Sequence, residues 1–439
     1  MKRSTLLFTT SWLSIVSLLV FSTSATAGQT DAITLSTPSD ILGDAFVPGA
    51  RILADVSATY VEEEFLVEGT ADIYNYDSHP GVPGVVSVVT AADPYKTRIM
   101  VRRPASSGDF NGTVVIEWWN STAGFDTAPV WDASAEYFVR EGISYVGGTN
   151  STTSLAFLAG GCSLFGFLPP TCATRYSTLS MTDNGQAYDI VSQIAHQLKT
   201  GGAGTPLPGG FVVDKVFHSG QSQQGGSMVA YATNFHFASN DGYFIQAASS
   251  ARRINDDISC DDGGAPAYPA CRAELSGSDR QVRTDLPVPV YRAMTETDVG
   301  SVLENGTRQT DSGLFRYYEI AGATHVTVHK DIEVFPPGVA GPEALTLEGT
   351  CRNELNTLAD GPIYGRVFYN AMWQSMADQV EFSTVSPAGV ILDSTGIEID
   401  RDGFGNALGG LRVPQMDYPV ASYFPHNEIN PGLPAAFAP

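Results

Sequence analysis

The sequence has 439 residues and a formal net charge of −23, with 16% charged and 43% hydrophobic residues. That length is enough for one large domain with additions or for two smaller domains. The excess of acidic groups repels phosphate backbones, which argues against nucleic acid as a partner. The small share of charged residues excludes a disordered acidic tail.

The N-terminus has the three-part layout of a secretory signal. Lys2 and Arg3 precede an apolar run at 6–21, and small residues up to Ala27 form a cleavage site. The run is too short and too rich in Ser and Thr for a membrane anchor. We therefore expect a signal peptide at 1–27, a secreted or periplasmic mature protein, and no membrane span.

The next hundred residues are predicted to be rich in strands. The segments 65–76 and 98–104 alternate between polar and apolar residues, as strands do when one face meets a core. They predict a β-rich region at 28–110 that packs on the domain that follows.

From residue 111 onward, apolar runs typical of buried parallel strands alternate with segments of helical periodicity. The predicted strands are 112–120, 143–148, 211–220, 242–250, 288–294 and 315–322, and the predicted helices are 128–142, 184–202 and 227–238. This rhythm predicts an α/β domain at 111–439, with a mostly parallel sheet, helices on both faces and a C-terminal extension.

A long apolar loop interrupts this rhythm at about 151–180. It follows a predicted central strand, and ligands of such sheets bind beyond the carboxyl ends of the strands. The loop is therefore interpreted either as a lid-like wall of a pocket or as a packed surface excursion.

The five cysteines suit an oxidising compartment. Cys162 and Cys172 flank one Gly/Pro-rich loop, and Cys260 and Cys271 flank another, which predicts two local disulfides with Cys351 left over. No cysteine or histidine spacing indicates a zinc site. The segment 400–405 (DRDGFG) lacks the closing ligands of a calcium loop and predicts a turn. We expect no metal and no cofactor.

The stretch "HSGQSQQGG" (218–226) joins a predicted strand to a predicted helix and contains Ser222. A strand-to-helix turn presents a serine oxygen at a helix N-terminus, where backbone N–H groups favour an anion. Gly220 and Gly225 provide low bulk on either side, but Gln224 stands where Gly-x-Ser-x-Gly would place its last glycine. Ser222 is the candidate nucleophile, and a plain polar loop is the alternative.

A serine nucleophile needs a base and a group that orients the base. In an α/β-hydrolase the acid and the histidine follow the serine along the chain. Asp298 comes just after one predicted strand and His325 just after the next, with Glu296 as the alternative acid. His329 lies too close to His325 to be excluded by spacing.

An oxyanion hole needs two backbone N–H groups. One is predicted at Gln223, directly after the nucleophile. The other is predicted in the loop after strand 112–120, at Asn120 or Ser121.

Several stretches together resemble a family of mostly bacterial proteins described as alpha/beta hydrolase domain-containing. The resemblance runs from about residue 61 to 423 and is carried by "VEEEFLVEGTADIY", "YKTRIMVRRP", "FNGTVVIEWWNSTAG", "YDIVSQIAHQL", "SGQSQQGG", "VPVYRAMTETDV", "EIAGATHVTVH" and "DGFGNALGGLRVPQMDYPVASY". The family's turn reads Gly-x-Ser-Gln and then a small residue, so Gly220, Ser222 and Gln223 match and Gln224 departs. The resemblance implies an α/β-hydrolase fold and the roles given above to Ser222, His325 and Asp298 or Glu296, and it implies no particular substrate.

The expected function is that of a secreted serine hydrolase acting on carboxylic esters through an acyl-enzyme. The apolar loop favours a hydrophobic ester, either a small molecule or a polymer. An amidase, a lactonase or an acyltransferase on the same fold is the alternative. A non-catalytic binding protein that uses Trp118 and Trp119 as an adhesive surface is a further alternative from another class.

Overall fold

The computed structural model describes residues 28–49, 59–76, 86–163, 172, 174–202, 204–249, 251–252, 254–255, 280–325 and 364–414. The predicted signal peptide, Cys260, Cys271, Cys351 and His329 lie outside these residues. None of the described helices is long and apolar enough to cross a membrane.

A nine-stranded sheet forms the centre of the molecule, in the spatial order β1-β2-β3-β5-β4-β6-β7-β8-β9. The pairs β1–β2, β2–β3 and β3–β5 are antiparallel. From β5 onward in this spatial order, through β4, β6, β7 and β8 to β9, neighbouring strands are parallel. The strands are β1 Thr34–Ser36, β2 Tyr60–Tyr76, β3 Val86–Pro104, β4 Thr113–Trp118, β5 Ser144–Gly148, β6 Lys215–Gln221, β7 Gly242–Gln246, β8 Val290–Thr295 and β9 Phe315–Ile320. A separate hairpin pairs β10 Ser394–Thr395 with β11 Glu398–Ile399.

Helices cover both faces of this sheet. They are α1 Pro129–Arg140, α2 Thr152–Ala159, α3 Ala187–Thr200, α4 Gln223–Asn234, α5 Glu296–Glu304 and α6 Tyr364–Phe382. Successive strand residues point to opposite faces. Glu117 accepts hydrogen bonds from the first turn of α1, while its neighbour Trp118 packs on Tyr188 of α3 and Tyr231 of α4. Helices α1 and α3/α4 therefore lie on opposite sides of β4.

The predicted strands and the first two predicted helices correspond to observed elements. Most ends move by a few residues, but the strand predicted at 98–104 begins much earlier, at Val86. The third predicted helix, 227–238, begins earlier, at Gln223. Gly225, assigned to the turn, lies in its first turn. A Cβ there would come within 2.7 Å of the Ala248 Cβ and 2.8 Å of the Gln246 carbonyl oxygen, so glycine lets the helix start directly against β7.

A buried ionic network joins the N-terminal strands to the rest of the molecule. Arg98 of β3 is fully buried, and its guanidinium pairs with Glu64 of β2 at 2.9 Å and with Asp126 at 3.0 Å. Glu64 also pairs with Arg175 at 2.8 Å and accepts a hydrogen bond from the Tyr176 hydroxyl at 2.5 Å. The network therefore links β2 and β3 to the loop after β4 and to the cysteine-containing insertion.

The described part of that insertion packs against the sheet as a second apolar cluster. Cys162 and Cys172 are joined in a disulfide with Cα atoms 5.7 Å apart, which confirms the first of the two predicted bridges. Both half-cystines are buried with Phe46, Phe125 and Tyr176. The described part of the insertion is therefore a packed surface segment. That the insertion acts as a lid stays a prediction.

Arg98→Met should destabilise the fold by about 3–5 kcal/mol, because it leaves the buried carboxylate of Asp126 without its cation and leaves Glu64 paired with Arg175 alone. Urea denaturation followed by tryptophan fluorescence measures this loss.

The matched control is Arg140→Met. Arg140 pairs with Glu141, but 65% of its side chain is exposed, so its replacement should change the stability by less than about 1 kcal/mol. Equal losses from the two variants would show that the buried network contributes nothing beyond a surface pair.

Candidate active site

Strand β6 leads into α4 through Ser222, whose backbone has φ 56° and ψ −115°. A non-glycine residue with such angles is strained by about 1–3 kcal/mol and is held only by its surroundings. The Ser222 N–H donates to the Gln246 carbonyl at 2.9 Å, and its carbonyl accepts from the Gly226 N–H at 3.0 Å. This geometry is the strained strand-to-helix turn that exposes a nucleophilic serine in many hydrolases.

His325 lies between Ser222 and Asp298. Its Nε2 is 2.7 Å from the Ser222 Oγ, and its Nδ1 is 2.6 Å from the Asp298 Oδ1. A neutral imidazole protonated at Nδ1 satisfies both contacts, because it donates to the carboxylate and accepts from the hydroxyl. The structure thus brings together three of the predicted side chains from the ends of β6, β8 and β9.

Two side chains that the sequence reasoning missed hold this chain of hydrogen bonds in place. The Thr295 hydroxyl donates to the Asp298 Oδ2 at 2.5 Å. The Gln221 Nε2 donates to the His325 carbonyl at 2.9 Å. Gln221 immediately precedes the serine, a position that offers a sequence signal, whereas no local pattern marks Thr295 as a partner of the acid.

Glu296, the alternative acid, faces a different set of partners. Its Oε2 accepts from the Gly322 N–H at 2.6 Å. Its Oε1 lies 2.8 Å from an Arg401 guanidinium nitrogen, an ion pair without hydrogen-bond geometry. The carboxylate is buried at 2% exposure, so it braces the turn after β9 rather than contacting the imidazole.

The predicted oxyanion donors lie around the same turn, and two of them are already engaged. The Asn120 N–H donates to the Thr127 carbonyl at 3.0 Å within a backbone bridge. The Ser121 N–H and hydroxyl both donate to the Gln223 side-chain oxygen, at 3.1 and 2.8 Å. Gln223 itself opens α4, where the first N–H groups have no intrahelical acceptor.

His218, in the strand that leads to the turn, is part of the core. His218 is fully buried in β6, and its Nε2 is 2.9 Å from the Asn240 Oδ1. Burial lowers the pKa of His218 to about 3, so it stays neutral.

Trp118 and Trp119 are buried, at 1% and 0% exposure, and therefore form no exposed binding surface. This corrects the adhesive surface considered for a non-catalytic protein. No group of three or more His, Cys, Asp or Glu side chains suited to a metal ion occurs within the ranges that the structure describes.

A family model described as an alpha/beta hydrolase domain matches residues 28–438. The chain therefore belongs to this alpha/beta hydrolase family, and both the resemblance and the predicted fold class are confirmed. No curated protein matches the sequence.

Solved structures similar to this chain include several esterases. A fungal esterase from Rhizomucor miehei has 10% identity, covers 75% of this chain and 88% of its own, and gives a TM-score of 0.33. The carboxylesterase Cest-2923 from Lactobacillus plantarum WCFS1 has 11% identity, covers 52% and 79%, and gives 0.26. Est1E from Butyrivibrio proteoclasticus has 11% identity, covers 53% and 86%, and gives 0.27. All three TM-scores are below 0.5.

Electrostatics give His325 a raised pKa. Burial lowers the pKa of the imidazole, but the hydrogen bond to Asp298 and the charge of that carboxylate outweigh it, so the pKa lies above 6.5. The stabilisation that the protonated pair contributes is fully present below pH 6.5 and is lost as the pH rises through the higher pKa of the folded state.

Asp298→Asn should lower the pKa of His325 to below 6.5, because the variant keeps the burial and removes the charge. An NMR titration of isotope-labelled histidine measures the shift. Glu296→Gln is the control and should leave the raised pKa in place, since Glu296 pairs with Arg401. An unchanged pKa in Asp298→Asn would mean that another group sets the titration of His325.

Proposed function

We propose that the protein is a secreted serine hydrolase that cleaves carboxylic esters through an acyl-enzyme. The observation that carries the proposal is the continuous hydrogen-bond chain from the Ser222 Oγ through His325 to Asp298, with steps of 2.7 and 2.6 Å. A nucleophile, a base in contact with it and a group that orients the base are the three parts that such chemistry requires.

In the proposed reaction, the Ser222 Oγ attacks the ester carbonyl carbon while the His325 Nε2 takes its proton. The C–O bond to the alcohol then breaks, and the proton moves from Nε2 to the leaving oxygen. Water attacks the acyl-enzyme in the second half, gives its proton to Nε2, and Ser222 recovers that proton as the acid departs. Asp298 orients the imidazole and stabilises its charged form.

The oxyanion of each tetrahedral intermediate is proposed to bind the Gln223 N–H and the Ser121 N–H. Of the two candidates in the loop after β4, Asn120 has its N–H committed to backbone. Ser121 donates instead to the side chain of Gln223, which can rotate away. An anionic oxygen is a stronger acceptor than a neutral amide, so this exchange favours the transition state over the ground state.

Secretion is part of the same proposal. Disulfides persist in oxidising compartments, and the Cys162–Cys172 bridge suits a protein exported by an N-terminal signal. A secreted or periplasmic hydrolase meets its ester outside the cytoplasm.

Ser222→Ala should lower kcat/KM on p-nitrophenyl butyrate by about 10⁴- to 10⁶-fold, because the nucleophile is removed. The melting temperature should change little, since the turn is held by backbone hydrogen bonds. In parallel, a fluorophosphonate probe should label Ser222 in the wild-type protein, as peptide mapping by mass spectrometry can show.

The control for labelling is His325→Ala, which keeps the serine and loses the base, and should label far more slowly. Full esterase activity in Ser222→Ala, or a probe bound at another residue, would falsify the assignment of the nucleophile.

Asp298→Asn should lower kcat by about 10⁴-fold at neutral pH, because an asparagine leaves the imidazole in the wrong tautomer. Glu296→Gln is the isosteric control in the same helical turn and should retain at least about a tenth of the activity, because its partners are Gly322 and Arg401. Steady-state kinetics at matched substrate concentrations measure both. The reverse order of losses would assign the acid to Glu296.

A further inference from the structure

A narrow polar cleft lies beside the Ser222 turn, between the end of β4, the residues after β5 and the first turns of α3 and α4. Its volume is about 20 Å³, enough for one water-sized group. The lining residues with polar groups include Trp118, Asn150, Asn184, Gln224, Ser227 and Arg252.

Gln224 is the residue that departs from the motif, and its side chain lines this cleft. Gln224 and Ser227 are three residues apart on α4, so they share one face of the helix. Both are buried, at 3% and 7% exposure. Both residues line the cleft.

Two polar atoms of the cleft are buried without a partner. The Trp118 Nε1 is a donor and the Asn150 Oδ1 is an acceptor, and neither makes a hydrogen bond. Trp118 is 1% exposed and Asn150 is 4% exposed. Buried polar groups are almost always satisfied, so two such atoms in one small cleft, beside the side chains of Gln224 and Ser227, indicate a site built for a polar occupant.

The mixture of donors and acceptors narrows the chemistry of that occupant. An indole N–H only donates, and an amide oxygen only accepts. A carboxylate accepts but cannot donate to Asn150, and a methyl group leaves both atoms unpaired. A hydroxyl both donates and accepts and has the size of a water molecule, so it fits the orphaned Trp118 donor and the orphaned Asn150 acceptor together.

We infer that this cleft is a specificity subsite that binds a hydroxyl group of the substrate, so that the enzyme prefers esters hydroxylated near the scissile bond. The inference rests on the proposed ester hydrolysis at Ser222. It adds a polar requirement to the hydrophobic ester that the apolar loop favours. Gln224 and Ser227 carry the preference because they lie within the helix that begins at the nucleophile.

The test compares kcat/KM for two matched substrate pairs. In the first pair, methyl 3-hydroxybutanoate is compared with methyl butanoate, so the added hydroxyl lies in the acyl part of the ester. Glucose 6-butanoate against cyclohexylmethyl butanoate places it in the alcohol part. We expect at least one hydroxylated ester to be favoured by about 10- to 100-fold, because its deoxy partner leaves buried polar groups unpaired.

Gln224→Leu and Ser227→Ala should each reduce that preference several-fold or more. Gln374→Leu is the matched control, since Gln374 is exposed on α6 and bonds to Tyr137 and Asp378, and it should leave the ratio unchanged. Melting curves of all variants establish that they are folded, and Ser227→Ala keeps the test open if Gln224→Leu does not fold.

Fluorophosphonate labelling of the wild-type protein separates the two ways in which the experiment can fail. Labelling at Ser222 with no preference in either pair overturns the subsite alone. A preference that persists undiminished in both Gln224→Leu and Ser227→Ala also overturns the subsite. If the cleft holds a structural water only, the ratio of kcat/KM between the hydroxylated and deoxy esters will be the same in the wild-type protein and all variants, and this result overturns the subsite too. Absence of labelling at Ser222 overturns the proposed hydrolysis, and the subsite with it.

Discussion

The site depends on one backbone constraint, the close approach of α4 to the sheet at Ser222. A serine at φ 56° is unfavourable by itself, so the surroundings have to hold it. A Cβ at Gly220 would lie 2.5 Å from the Gln224 carbonyl oxygen, and one at Gly225 would lie 2.7 Å from the Ala248 Cβ. The two glycines allow the helix and the strand to meet closely, and in this turn the Ser222 Oγ lies 2.7 Å from the His325 Nε2.

The same turn of α5 contains two carboxylates with different tasks. Glu296 and Asp298 both follow β8 and differ by two positions, which on a helix places them about 200° apart. Glu296 turns inward to the Gly322 N–H and the Arg401 guanidinium, which fixes the turn after β9. Asp298 turns towards His325. The structural carboxylate thus sets the position of the loop whose histidine the second carboxylate orients.

Local patterns were sufficient for much of this architecture. Buried strands read as apolar runs, and the order of Ser222, an acid and His325 along the chain is visible without coordinates. The choice between Glu296 and Asp298 as the partner of His325 is not visible in the sequence, because it depends on which side of a helical turn faces the next strand. Other contacts were not predicted from the sequence for a related reason. They depend on side-chain direction, as for Thr295, Gln221 and Gln223, or they join distant parts of the chain, as in the Arg98 network. The start of α4 was predicted too late, because Gly225 and Gly226 are typical of a loop when their packing partners are unknown.

The late glycine in the motif has a physical explanation in that packing. The turn requires a residue without a side chain at the point where α4 contacts β7, and Gly225 is that residue. Position 224 faces away from this contact and into the polar cleft, so a long side chain there does not crowd the nucleophile. Position 224 is two residues from the proposed nucleophile, so its side chain is well placed to contact a substrate bound there. On the proposed function, the departure from the family pattern at Gln224 changes what the turn recognises and leaves the turn itself intact.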